Sequence, residues 1–315
     1  MSRPQTFNDL LNLSHYDLAR LDIGLMNLLS ANGLPGSEDL DIDDCLVKLD
    51  HWAEEVREET ERNLAQFRPS RPRDTIGYLK CWTLCKLIRH RKGLRHHLEP
   101  VGADPKVPYT IRGNNTPGPD SSFRSAEPIF LGGLLGKRGV GSCTSFPALY
   151  AALGQRLGYP IRQVLVVAHV IIRWDDPVDR FNMDPGPNYI NSHPDDYYID
   201  KPIPWTHEEK TCGNWFRPLT PREVLGHFAG LRGCVLEANF KLSEAFSSFM
   251  LACRLLPKCP LNPRLVNRVS QTMHDRGSHP QRLAGAIGDP MRASTPTHKA
   301  HNPFNTCTVV QHPES

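Results

Sequence analysis

Hydrophobic positions recur at helical spacing through the first part of the chain. Leu18, Leu21, Leu25, Leu28 and Leu29 predict an amphipathic helix, opened by Ser14 and Asp17 in a pairing that resembles a capping box. Gly33, Pro35 and Gly36 interrupt it. A second helix follows, with Ile42, Cys45, Leu46, Leu49, Trp52, Ala53 and Val56 on one face and Glu and Arg on the other. Arg71 to His97 predicts a third helical segment that ends in the basic run Arg89-His90-Arg91-Lys92. Pro100 to Pro128 is rich in Pro, Gly, Asn and Ser, and predicts a long loop that lies over a site or links two halves.

The pattern then changes. A glycine-rich stretch from Leu131 to Ser142 leads to a helix over Thr144–Gly158, with Phe146, Leu149, Tyr150, Leu153 and Leu157 as its apolar stripe. Ile161 to Trp174 is the most strand-like stretch, and His169 is the one ionisable residue within Val164–Ile172. Asp175-Asp176-Pro177 reads as a turn and Arg180 to Asp184 as a short returning strand. Pro185 to Trp215 is irregular. Thr220-Pro221-Arg222-Glu223 supplies a Thr cap, a proline at the first helical position and a capping-box Glu. A helix to about Arg232 is predicted there, followed by helices over Ser243–Leu256 and Pro263–His274. These paired helices resemble one tetratricopeptide-type hairpin and its neighbour, without a repeat of about 34 residues that would mark an array. Residues 276–315 hold few large apolar side chains and predict a disordered tail.

Composition narrows the function classes. The chain has 315 residues, 39% of them hydrophobic and 23% charged, and a domain set of this size builds its core without disulfides. The 28 prolines fit long irregular connections. A net charge of +3, from 37 basic and 34 acidic side chains, does not point to nucleic acid or a membrane surface. No apolar run is long enough to span a bilayer, and the N-terminus does not read as a signal peptide. The nine cysteines therefore predict free thiols in a reducing cytoplasm.

The candidate chemistry lies in Cys143, His169 and Asp184. Cys143 follows a glycine-rich turn and precedes an apolar helix, where first-turn N–H groups and the helix dipole stabilise a thiolate. Gly139 and Gly141 let the backbone turn sharply there. A histidine inside an apolar strand needs a polar partner. A hairpin centred between Asp176 and Pro177 sets Asp184 directly opposite His169 on the same face. One imidazole nitrogen then faces a carboxylate and the other can take the thiol proton. Each member alone has a plainer reading: a packed cysteine, or a structural histidine bonded to an aspartate. The order of cysteine, helix, histidine strand and aspartate strand is more specific than any of them.

These segments resemble the transglutaminase-like superfamily. Gly141-Ser142-Cys143-Thr144-Ser145, with Leu149-Tyr150 and Arg156-Leu157-Gly158, resembles its nucleophile helix. Ala168-His169-Val170-Ile171-Ile172-Arg173-Trp174 resembles its histidine strand, and Arg180-Phe181-Asn182-Met183-Asp184 its aspartate strand. Leu219 to Glu223 and the following helices are similar to the branch with N-terminal helices and trailing tetratricopeptide-like helices. The resemblance covers about residues 10–260. It implies an α+β protein with a papain-like, transglutaminase-like core: a nucleophile helix packed on an antiparallel sheet. N-terminal helices over 1–99 and C-terminal helical hairpins over 219–275 flank a core over 100–218, with the tail from 276 to 315. It implies Cys143 as nucleophile, His169 as base and Asp184 as the residue that orients it. Many members of this branch have lost the cysteine, which this chain keeps. The Asn-Ser segment often found upstream of the nucleophile helix is not evident in Ser121–Leu135, so the Cys143 backbone N–H is the minimal oxyanion donor, with a second expected from the upstream loop.

The implied function is a cytoplasmic cysteine-dependent acyltransferase or hydrolase that acts on amide bonds of a protein or peptide substrate through a thioester. The alternative is a non-catalytic interaction protein that uses the core as a scaffold and binds a protein partner through the C-terminal helices. No cofactor and no metal are expected. Gly136-Lys137 lacks the rest of a phosphate loop, and Cys81 and Cys85 lack a second ligand pair. Arg89–His97 lacks the interleaved aromatics of a nucleic-acid surface. Trp205, Trp215, Tyr197 and Tyr198 either line a cleft or pack the loops down.

Overall fold

The computed structural model describes residues 3–71, 74–91, 93–96, 123–167, 169–185, 190–200 and 207–278. Most of the predicted 100–128 loop, Trp205 and the tail beyond 278 lie outside the described residues. The fold is α+β, and among the described residues no helix is long and apolar enough to cross a membrane.

The N-terminal leucine pattern folds as short helices: α1 (Phe7–Leu11), α2 (His15–Arg20) and α3 (Ile23–Ala31). The predicted single helix breaks at Leu21, which is extended, because Asp22 accepts from Leu25 N–H and starts a new helix. A short acceptor side chain competes with the helix it interrupts and caps the next one. Helix α4 (Ile42–Gln66) buries Cys45, Leu49, Ala53 and Val56 of the predicted face. Helix α5 (Ile76–Arg91) carries the fully buried Cys81 and Cys85. The predicted helix to His97 ends earlier. Beyond Gly93, at φ 61°, the chain forms strand β1 (Arg95–His96).

After α6 (Leu131–Leu135), strand β2 (Val140–Gly141) pairs in parallel with β1. Helix α7 (Ser145–Leu157) buries each residue from Ser145 to Gly154. The predicted strand over Ile161–Trp174 is two strands. Strand β3 (Ile161–Val166) pairs with the next strand, β4 (His169–Asp175), with Val166 opposite His169. Nothing in Val167-Ala168 signals a turn, so the break is invisible in an apolar, β-branched run. Strand β5 (Arg180–Pro185) returns beside β4, and β6 (Ile190–Asn191) completes the antiparallel order β3-β4-β5-β6.

Both faces of the sheet bury apolar side chains. Ile161, Leu165, Val170, Ile172, Trp174 and Met183 join the main core. Val164, Val166 and Ile171 join Val167 and Tyr198 in a second cluster on the other face. Helices α8 (Tyr197–Asp200) and α9 (His207–Thr211) lie in the segment predicted as irregular.

Residues 216–219 run along the edge of β3: Phe216 N–H donates to Leu165 and Leu219 N–H to Gln163. This edge contact delivers the chain to α10 (Pro221–Ala238), which opens with the predicted capping box of Thr220 and Glu223. Arg217 adds a fork to Glu223 at 2.8 and 2.6 Å. Thr220→Ala is expected to cost about 1 kcal/mol in urea denaturation. Helix α10 runs past the predicted end at Arg232. Gly233 does not stop it but admits α11 (Leu242–Leu255): a Cβ on Gly233 would lie 2.5 Å from the Phe249 ring. Helix α12 (Leu261–Ser278) packs against α11. A single hydrophobic cluster, from Leu10 to Val269, joins the N-terminal helices, the sheet and α10–α12.

Candidate functional site

Chain length brings the start of α7 to the β3–β4 turn. The 13 residues of α7 and the six of β3 each extend about 20 Å at their usual rises. A short connection through Gly158–Pro160 folds one back along the other, so residues just before α7 reach the end of β3. Cys143 is two residues ahead of α7, and His169 opens β4 just after the turn.

Hydroxyls fix this entry to the helix. Ser145 Oγ accepts from Ser142 N–H at 2.8 Å and donates to the Pro128 carbonyl at 3.0 Å. Thr144 Oγ1 donates to the Ile129 carbonyl at 2.9 Å. Gly139 takes a φ of 59°, and a Cβ on Gly141 would meet Leu134 at 2.5 Å and Ser145 Oγ at 2.7 Å. The tight turn expected from these glycines is therefore present, and Cys143 is left partly exposed between buried neighbours.

The predicted residues meet. His169 Nε2 lies 3.0 Å from Asp184 Oδ1, with the two side chains 10% and 15% exposed. The Cys143 side chain hydrogen-bonds the His169 ring. The predicted strand register is corrected. Ile172 faces Met183 and Asp175 faces Arg180, so Asp184 lies diagonal to His169, two positions from the predicted opposition. The turn is centred one residue later than expected, because Asp176 closes it by accepting Val178 N–H at 2.9 Å. A shift of two residues keeps the same face, and a diagonal neighbour remains within side-chain reach.

Burial works against a charged His169, but Asp184 and the Cys143 sulfur outweigh it and push the ring pKa up from 6.5 to about 10. Because the folded value is the higher one, protonation stabilises the fold fully below about 6.5 and this contribution disappears as pH rises through about 10. Asp184→Asn is thus expected to destabilise most near pH 6 and least above pH 10, with urea midpoints as the measurement.

A buried arginine underlies this sheet face. Arg173, 2% exposed, donates to Asn182 Oδ1 at 2.7 Å, the Phe216 carbonyl at 2.6 Å and Asp195 Oδ1 at 2.5 Å. Asn182 also donates to Asp195 and the His193 carbonyl. The network ties β5 and the 192–195 segment to β4 beside Asp184. Phe216, at φ 57°, is held in a left-handed turn that bulky residues rarely adopt. The sequence signal for this support was the period of two: Arg173 shares parity with His169, and Asn182 with Asp184.

Cys143 and His169 border a cavity of about 50 Å³ between the β3–β4 turn, Trp215 and helices α10 and α12. Trp215 lines it, whereas Tyr198 is buried in the second core and Tyr197 stacks on His193 at 3.7 Å. His227, Cys259 and Asn262 also border it and were missed. Cys259 and Asn262 lie at a helix junction that periodicity reads only as packing. His227, alone among apolar residues in Val224–Ala229, was the one available signal. Among the described residues, no group of three or more His, Cys, Asp or Glu is placed to hold a metal ion.

Comparison with protein-family models, curated proteins and solved structures finds no match to this chain.

Proposed function

We propose that the protein is a transglutaminase-like cysteine enzyme that acts on amide bonds of protein or peptide substrates. In this reading α7 on the antiparallel sheet is a papain-like core, and α10–α12 are its trailing tetratricopeptide-like helices. The observation that carries it is the chain of contacts from Cys143 through His169 to Asp184 at the edge of a cavity.

The geometry fits thioester chemistry. With its pKa pushed up to about 10, the His169 ring is protonated at neutral pH and stabilises a thiolate beside it. The thiolate attacks the amide carbon, and a carbon–sulfur bond forms. The carbon–nitrogen bond breaks as His169 gives its proton to the leaving amine or ammonia. Neutral His169 then removes a proton from water or an acceptor amine as its oxygen or nitrogen bonds to the thioester carbon; the carbon–sulfur bond breaks, the Cys143 thiolate leaves, and the acid or a new amide is released. Asp184 holds the ring through Nε2 and offsets its charge. The Cys143 backbone N–H is the minimal oxyanion donor in this scheme.

Incubation with p-nitrophenyl acetate tests the reading. The expected result is an acetyl adduct on Cys143 by mass spectrometry, with a burst of about one nitrophenolate per chain. Cys143→Ser removes both. Adducts spread evenly over the cysteines would sink the proposal. The scaffold alternative draws on Phe240, Met250 and Met273, which are apolar and exposed on or between α10, α11 and α12. It predicts no such burst.

A further inference from the structure

The cavity beside Cys143 is mostly apolar: Leu165, Val167, Leu231, Leu261 and Leu265 form much of its wall. Besides Cys143, His169 and Thr144, whose hydroxyl is held by the Ile129 carbonyl, polar side chains interrupt it at Glu209, His227, Asn262 and Arg264. Three of these are already engaged. Asn262 Nδ2 donates to the Leu256 carbonyl, Arg264 pairs with Glu208, and Glu209 has an interaction of its own. His227 differs. It is 8% exposed, and its enclosed Nε2 has no hydrogen-bond partner among the described residues. An unsatisfied buried nitrogen costs about 1–3 kcal/mol. Such a group in a native structure calls for a partner that the chain itself does not supply.

We propose that His227 is the specificity residue of this cavity and hydrogen-bonds a polar group on the acyl part of the substrate as the reacting carbonyl docks at Cys143. This rests on Cys143 being the nucleophile. Burial lowers the His227 pKa to about 4, so the ring is neutral at physiological pH and offers one donor and one acceptor. It can therefore pair with a hydroxyl or carboxamide without carrying charge.

Size narrows the class further. A cavity of about 150 Å³ holds benzene, and this one measures about 50 Å³. The fitting acyl group is short, no larger than a threonine or asparagine side chain, with a hydrogen-bonding tip. Aromatic and long alkyl groups do not fit. Discrimination is strongest against an apolar isostere, which fills the space and leaves Nε2 unpaired.

The test uses the full chain and two esters, N-acetylthreonine p-nitrophenyl ester and its valine counterpart. In both, the Cys143 thiolate displaces nitrophenolate, which leaves with the electron pair of the broken carbon–oxygen bond. The threonine ester is expected to acylate Cys143 about tenfold faster or more. His227→Phe should abolish that preference, and His227→Gln, which keeps a hydrogen-bonding tip, should retain part of it. Equal rates in the wild-type chain overturn the proposal, as does a preference that survives in His227→Phe. If His227→Phe does not fold, the wild-type ratio and His227→Gln decide. Methyl methanethiosulfonate, which leaves only a methylthio group on sulfur, separates the two levels in the wild-type chain. Rapid selective reaction at Cys143 with equal ester rates sinks the role of His227 alone. Slow, unselective reaction with no acylation by either ester sinks the enzyme reading as well.

Discussion

His169→Ala is expected to slow acylation of Cys143 by p-nitrophenyl acetate about 100-fold at pH 6. An isolated thiol with a pKa of about 8.5 is only about 0.3% thiolate at that pH. In the wild-type chain the ring, pushed up to about 10, carries its proton at pH 6 and keeps a positive charge against the sulfur. Alanine removes the charge and returns Cys143 to ordinary thiol behaviour. The nitrophenolate burst measures the effect, and circular dichroism checks the fold. Asp184→Asn should fall between the two, since it loosens the ring at Nε2 and lowers its pKa but leaves the imidazole in place. A rate within about threefold of wild type for His169→Ala would remove the histidine from the chemistry, since a base in this role contributes about 100-fold or more.

The second large effect is on stability. Phe249 is fully buried on α11 and lies against Gly233 of α10. Phe249→Ala leaves a cavity between the two helices and is expected to cost about 3–5 kcal/mol. For a chain of this size that is a drop in melting temperature of roughly 10 °C. Differential scanning calorimetry measures it. A loss below about 1 kcal/mol would mean that α10 and α11 collapse onto each other despite the helix backbones, contrary to the rigid contact described. The consequence reaches the site, because α10 also carries His227 and Leu231 of the cavity wall.

The residues of the candidate site were more legible than the details that assemble them. Cys143, His169 and Asp184 could be read because each sits at a marked place: a glycine turn before an apolar helix, a lone ionisable residue in an apolar run, and the end of a short returning strand. The pairing of His169 with Asp184 survived a wrong register because strand faces repeat every two residues, and the error was two. The β3–β4 reversal was not legible, since Val167 and Ala168 lack turn chemistry and only the pairing of the flanking strands reveals it. The start of α10 was written in Thr220, Pro221 and Glu223, but its end was not. Gly233 reads locally as a break and acts as a contact with Phe249, a residue known to be adjacent only once the helices are paired. The cavity wall fails for the same reason: Leu165, His227 and Leu265 converge through tertiary packing and share no local pattern.

The most direct measurement is the rate of iodoacetamide alkylation at Cys143, followed by mass spectrometry from pH 5 to pH 9. A sulfur paired with a protonated ring reacts at nearly constant rate down to about pH 5. The other cysteines of the unfolded chain supply the reference, losing about tenfold per pH unit below about 8.5. A plateau at Cys143 is the expected result. A tenfold fall per unit there as well would mean that no ion pair forms between sulfur and imidazole, and the proposed chemistry would be wrong.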